Sequence, residues 1–219
     1  MHAARAKLGT TTLIPLLLAG LMFGGCAPST PGGRIALTSQ TANPVRLDAD
    51  FRYGGYVVEP GSSSIILSTV PVERLKADDF NSAQVIDITY LWKPRAGRTP
   101  VNRESTNLMI RHVVLVGRTE AGVYGGGGFG WPRGEPGDAG FGIDISGSSL
   151  TLLDSTDGFK DLLSPAAASG SVGGPLDAKA AVRIRDAASQ LVTNRLGRPR
   201  WVGPDRNLGH LAWSSPPAP

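Results

Sequence analysis

The 219-residue chain has one cysteine, three histidines and only 6% aromatic residues. A single cysteine excludes a disulfide within the chain and any Cys-x-x-Cys chemistry. With so few histidines, no H-x-x-H or H-E-x-x-H spacing occurs, so the usual zinc signatures are missing. Excess charge is also scarce. Twenty-two Lys and Arg against 18 Asp and Glu leave a formal +4, too little to mark a nucleic-acid partner. The longest apolar run covers eleven residues, 13–23, well short of the ~20 that a membrane-crossing helix needs. No repeat with a period of roughly 20–50 residues is visible, which excludes solenoids and propellers. Glycine (29) and proline (17), in contrast, are plentiful. They favour short strands joined by turns over long helices.

The cysteine lies at the end of that apolar run. His2, Arg5 and Lys7 make a basic start, residues 13–23 are apolar apart from Pro15 and Gly20, and Phe23-Gly24-Gly25-Cys26 follows. This is the layout of a secretory signal, with small residues at the cut. The last four residues resemble the lipobox of bacterial lipoproteins, with Phe23 where leucine is usual. The resemblance covers about the first 27 residues. It implies a signal peptide over 1–25, a diacylglyceryl group on Cys26 and export to the cell envelope. Ala27, in place of aspartate, implies transfer to the outer membrane in a Gram-negative cell. Two acyl chains suffice for stable anchoring, and they cap a thiol that would otherwise be exposed in an oxidising compartment. Loss of Arg5 and Lys7 with the signal leaves a formal +2.

Residues 26–45 read as the lipidated N-terminus and a flexible tether. Positions 27–44 hold three Pro, two Gly and five Ser or Thr, and a coil of that length spans roughly 25 Å. Residues 46–213 then form a single domain, and 214–219 ("SSPPAP" with its flanks) a disordered tail. Period-two alternation runs through Leu47, Ala49, Phe51 and Tyr53, with a glycine bulge at Gly54-Gly55. Strands are expected around "SIILSTV", at Ile86, Ile88, Tyr90 and Trp92, and through "TNLMIRHVVLVG". A hairpin at "RTEAG" leads into "VYGGGGF", and a second is expected at Ser146-Gly147-Ser148. "SPAAASGSVGGP" reads as a flexible connection. One helix is well specified over 177–196: Asp177 caps it, Ala181, Ile184, Ala188, Leu191 and Val192 form its stripe, and Gly197 and Pro199 end it. The expected fold is α+β, an antiparallel sheet with this C-terminal helix packed on one face.

No catalytic constellation is legible. "GGGGFG" satisfies a dinucleotide fingerprint formally, but Trp131-Pro132-Arg133-Gly134 after it cannot open the helix that a pyrophosphate requires. No cofactor and no metal are implied. His112 alternates with Leu108, Ile110, Val114 and Val116, which places it on a core-facing strand side as a structural histidine. Two regions suit binding. Phe129 and Trp131 lie in the glycine-rich loop "GFGWPRGEPG", a setting that suits sugar or peptide recognition. Arg198 and Arg200 sit beside Trp201, a combination that suits anionic polymers or phosphate headgroups. The reading is a membrane-anchored lipoprotein whose domain binds or scaffolds, its partners the membrane, an envelope protein or an anionic polymer. The alternative is an exported hydrolase using His112 with a loop serine and aspartate.

Overall fold

A computed structural model describes residues 30–95 and 106–200. The expected signal peptide, Cys26, Trp201 and the expected C-terminal tail lie outside the described residues. In chain order the elements are β1 (Gly32–Ser39), β2 (Arg46–Phe51), β3 (Tyr53–Glu59), β4 (Ser62–Ser68), α1 (Val72–Ala77), β5 (Ser82–Tyr90), β6 (Leu108–Val116), β7 (Glu120–Arg133), β8 (Gly140–Ser155), β9 (Ala166–Pro175) and α2 (Ala178–Leu196). The nine strands make one antiparallel sheet in the order β2-β1-β9-β8-β7-β6-β5-β4-β3. The fold is α+β, with the C-terminal helix packed on the sheet.

The two end strands, β2 and β3, are separated in sequence by Arg52 alone. The sheet therefore curls into a half-barrel that brings β3 over towards the end of β9. The backbone N–H of Arg52 donates to the carbonyl of Ser68 at 3.1 Å, and Tyr56 of β3 pairs with Leu176 just after β9. The alternation around Phe51 is thus two strands meeting at a corner rather than one strand with a glycine bulge.

Curling sorts the side chains into two cores. The inner face buries Ile35, Leu37, Phe51, Tyr56, Ile65, Leu67, Ile86, Tyr90, Leu108, Tyr124, Phe141 and Val172, among others. Part of the outer face packs under α2, where Ile66, Val85, Val113, Leu115 and Val123 meet Ala181, Ile184, Ala188, Leu191 and Val192. The helix begins as its sequence specifies, with the Asp177 carboxylate accepting from the N–H of Ala180 at 2.8 Å, and it ends at Gly197. α1 was not expected. Its Leu75 is fully buried in the second core.

Three expectations need correction. Residues 32–39 are not tether: they form β1, paired on both sides, with Ile35 and Leu37 fully buried. The domain starts there and not at residue 46. "SPAAASGSVGGP" is not a linker either, because most of it is β9, between β1 and β8. Its small residues fit the tight curl: a Cβ on Gly170 (φ 140°) would sit 2.1 Å from the carbonyl oxygen of Arg34. Finally, Ser146-Gly147-Ser148 makes no hairpin. Gly147 (φ 66°) takes up a bulge inside the single 16-residue strand β8, where the pairing with β9 shifts between Ile145 and Ser148. The hairpin at 117–119 joins β6 to β7 as expected.

Leu191 is 7% exposed and belongs to the helix–sheet core, whereas Gln190 is exposed and bonds only to Asn194 within the helix. Leu191→Ala should cost about 2–5 kcal/mol, and Gln190→Ala less than about 0.5 kcal/mol. Denaturant unfolding of both variants checks this. Equal midpoints would mean that the helix packs by another face.

Candidate functional site

The outward-facing residues of β7 run Gly125, Gly127, Phe129, Trp131. The strand was expected through "VYGGGGF" and a loop from Gly128 on, yet residues up to Arg133 are paired with β8. The rings of Phe129 and Trp131 meet edge to face at 5.1 Å, and Trp92, just past β5, adds a third ring 6.4 Å from Phe129. The Trp92 indole N–H donates to the carbonyl of Thr106 at 3.0 Å. Trp131 is 54% exposed and Met109, on the neighbouring strand, 53%. The result is an aromatic ridge on the outside of the sheet, away from the helix.

What holds the ridge is Asn107, which is fully buried. β7 extends past the end of β6, and the Asn107 amide supplies the missing partner. It donates to the carbonyl of Gly130 at 2.8 Å and accepts from the N–H of Gly130 at 2.9 Å. These two bonds mimic a strand ladder directly between Phe129 and Trp131. Sequence reasoning missed Asn107 and Trp92. An asparagine just ahead of a strand reads as a turn residue, and only the cross-strand register shows what it faces.

Charges near the ridge are paired. Lys93 bridges to Glu135, and Arg133 Nε lies 3.0 Å from Asp144 Oδ1, which also accepts from the Ser171 hydroxyl at 2.6 Å. Arg133 borders an open cleft of about 740 Å³. Glycine backbone makes up much of its wall, through Gly32, Gly33, Gly142, Gly173 and Gly174, and Thr30 stands at its edge.

The arginines after the helix are fasteners. Arg198 grips the Asp154 carboxylate with Nε at 3.0 Å and Nη2 at 2.7 Å, and Arg200 binds the same carboxylate. The Arg198 hydrogen bond, with further bonds from Arg200 and the Ser155 N–H, brings the Asp154 carboxyl down to about 2. Arg195 is held against the carbonyls of Glu120 and Gly117 and the carboxylate of Asp78, over the ring of Phe80. An anion-binding role for Arg198 and Arg200 would have to compete with Asp154 for the same donors. Trp201, expected beside them, lies outside the described residues.

Another feature that sequence reasoning missed joins α2 to the sheet. Arg185 Nη1 donates to Glu59 Oε1 at 3.1 Å, and its Nε lies 3.4 Å from Asp87 Oδ2. Burial pushes the Asp87 carboxyl up to about 6 against the pull of Arg185. Arg185 sits between the buried stripe and the wet face, where periodicity alone does not distinguish a surface arginine from a clamp.

His112 is fully buried on the inner face, its ring 6.0 Å from that of Phe51. Its Nε2 is 2.9 Å from Gln84 Oε1, while the Gln84 amide donates to the carbonyl of Asp48 at 3.3 Å. That orientation of Gln84 makes Nε2 the protonated nitrogen and leaves Nδ1 without a donor. The imidazole faces Gln84 and has no contact with solvent. Val116, expected on the same core face, is 40% exposed at the end of its strand. Among the described residues, no group of three His, Cys, Asp or Glu side chains is placed to hold a metal ion. "GGGGFG" lies within β7 and opens no helix.

Desolvation brings the His112 pKa down to about 4. An unfolded chain takes up a proton near pH 6.5, so between about 6.5 and 4 the unfolded state binds more protons than the folded one. The stabilisation by neutral His112 is thus complete above pH 6.5 and is lost as pH falls towards 4. Wild-type denaturant midpoints should fall over this range by more than those of His112→Gln. Free titration of His112 near 6.5 by NMR would contradict its placement.

No protein-family model matches this chain, and no curated protein or solved structure matches it.

Proposed function

We propose that this chain is an exported bacterial envelope lipoprotein, anchored through a lipid on Cys26, whose folded part binds or scaffolds and does not catalyse. In an envelope with two membranes, Ala27 directs it to the outer one. Its contact face is the ridge of Trp92, Phe129 and Trp131. The observation that carries this reading is the contrast between the two sides of the curled sheet. The inner side is filled by Tyr56, Tyr124, Phe141 and large aliphatic residues, and its one imidazole is buried among them. The outer side presents three interlocked rings, Trp131 exposed and Trp92 and Phe129 half-buried. Aromatic side chains bury large areas at low entropic cost, which is why they dominate contact surfaces. Against that, the Arg198 and Arg200 pair is committed to Asp154.

In a bacterial host, the wild-type chain should incorporate a labelled fatty acid and partition into the detergent phase. Cys26→Ala should do neither. Label retained by Cys26→Ala would refute the anchor. Where the anchor holds, in-cell cross-linking from residue 131 should give adducts that a probe at exposed Asp186 does not.

A further inference from the structure

We infer that the aromatic ridge of Trp92, Phe129 and Trp131 docks on the membrane that holds the anchor, so that the domain lies against the bilayer and not at the end of a long tether. This deepens the proposed function and rests on the lipid at Cys26.

The length of chain outside the structure carries the inference. Because β1 begins at Gly32, only the six residues from Cys26 to Pro31 are left as connection. As a coil, six residues span about 13 Å, against the roughly 25 Å of an 18-residue coil. The point where the chain enters the fold also matters. Gly32, Gly173, Gly142 and Arg133 are successive cross-strand partners over β1, β9, β8 and β7. Gly32 is therefore three strand spacings, about 14 Å, from Arg133, and Trp131 is about 7 Å further along the strand. Thr30 and Arg133 border one cleft. The anchored end of the chain and the ridge thus share one end of the sheet, and a short connection brings that end to the headgroups.

The chemistry of the ridge fits that depth. Tryptophan concentrates at the membrane–water interface, where its ring is buried and its N–H stays near polar groups. Trp131 is half exposed, and Met109 adds apolar area beside it. Among the described residues, Lys93–Glu135 and Arg133–Asp144 form ion pairs beside the ridge, so the ridge offers rings more than free charge. A phospholipid bilayer is the occupant that such a surface fits, and a zwitterionic one tests the apolar contact alone.

The test uses the full lipidated chain in phosphatidylcholine vesicles, with and without brominated phosphatidylcholine. Mass spectrometry first establishes the acyl group on Cys26. In a chain carrying Trp92→Phe, Trp201→Phe and Trp213→Phe, the remaining Trp131 emission should shift to the blue and fall at least two-fold with brominated lipid. Its quenching by aqueous acrylamide should drop relative to the Cys26→Ala chain in buffer. The same comparison of unsubstituted chain with Trp131→Ser, an exposed single change, isolates the Trp131 signal if the triple variant folds poorly. An acylated chain whose Trp131 ignores brominated lipid and stays open to acrylamide overturns the docking and leaves the anchor standing; that result would assign the ridge to a protein partner. A chain without an acyl group at Cys26 overturns both.

Discussion

Everything in this molecule depends on one covalent constraint. Arg52 alone joins two strands that stand at opposite ends of a nine-stranded sheet, so the sheet has to curl on itself. Closure is then sealed by specific contacts. The Tyr56 hydroxyl donates to the carbonyl of Asp138 and accepts from the N–H of Gly137, while the Tyr56 ring packs on Phe141 and that on Tyr90, at 5.4 and 5.5 Å. Burial of Tyr56 and Tyr90 raises both phenol pKa values, Tyr90 to about 12, so both stay neutral at physiological pH. A sheet curled this tightly fills its interior with side chains.

On the outer face the chain makes two different choices along the same strands. Over Val85, Val113, Leu115 and Val123 it lays α2, fixed by the Arg185 bridges to Glu59 and Asp87 and by Arg195 on Asp78. Such buried pairs add little net stability but penalise misplacement, since either partner alone would be an uncompensated charge. Beyond the helix, β7 turns to glycine at 125 and 127 and then to Phe129 and Trp131. Gly125 leaves room for Leu153, whose side chain a Cβ there would meet at 2.4 Å. The ridge needs its own support because β6 has ended, and Asn107 provides it.

The parts of the fold that were legible in the sequence carry their information locally. Asp177, the stripe from Ala181 to Val192 and Gly197 specify α2 without reference to anything else, and the apolar alternation of β5 and β6 does the same for strands. β1 and β9 were not legible. Their pairing is long-range, and the curl demands Ala, Gly and Ser where a flatter sheet would show valine and isoleucine; a linker has that same composition. Gly147 was misread because a glycine flanked by serines suits a turn and a bulge equally. For the candidate site, Phe129 and Trp131 stand out by residue type alone. The pairing of Arg198 and Arg200 with Asp154, 44 and 46 residues away, has no local signal.

The curl of the sheet depends on residues 32–39 being part of it, between β2 and β9. Amide hydrogen exchange on the mature chain tests it most directly. Ile35, Ala36, Leu37 and Thr38, paired to β2 on one side and β9 on the other, should exchange as slowly as the centres of β8 and β9. Exchange of these four at unprotected rates, while β5 and β6 remain protected, would contradict it: the segment would be a tether and not a strand.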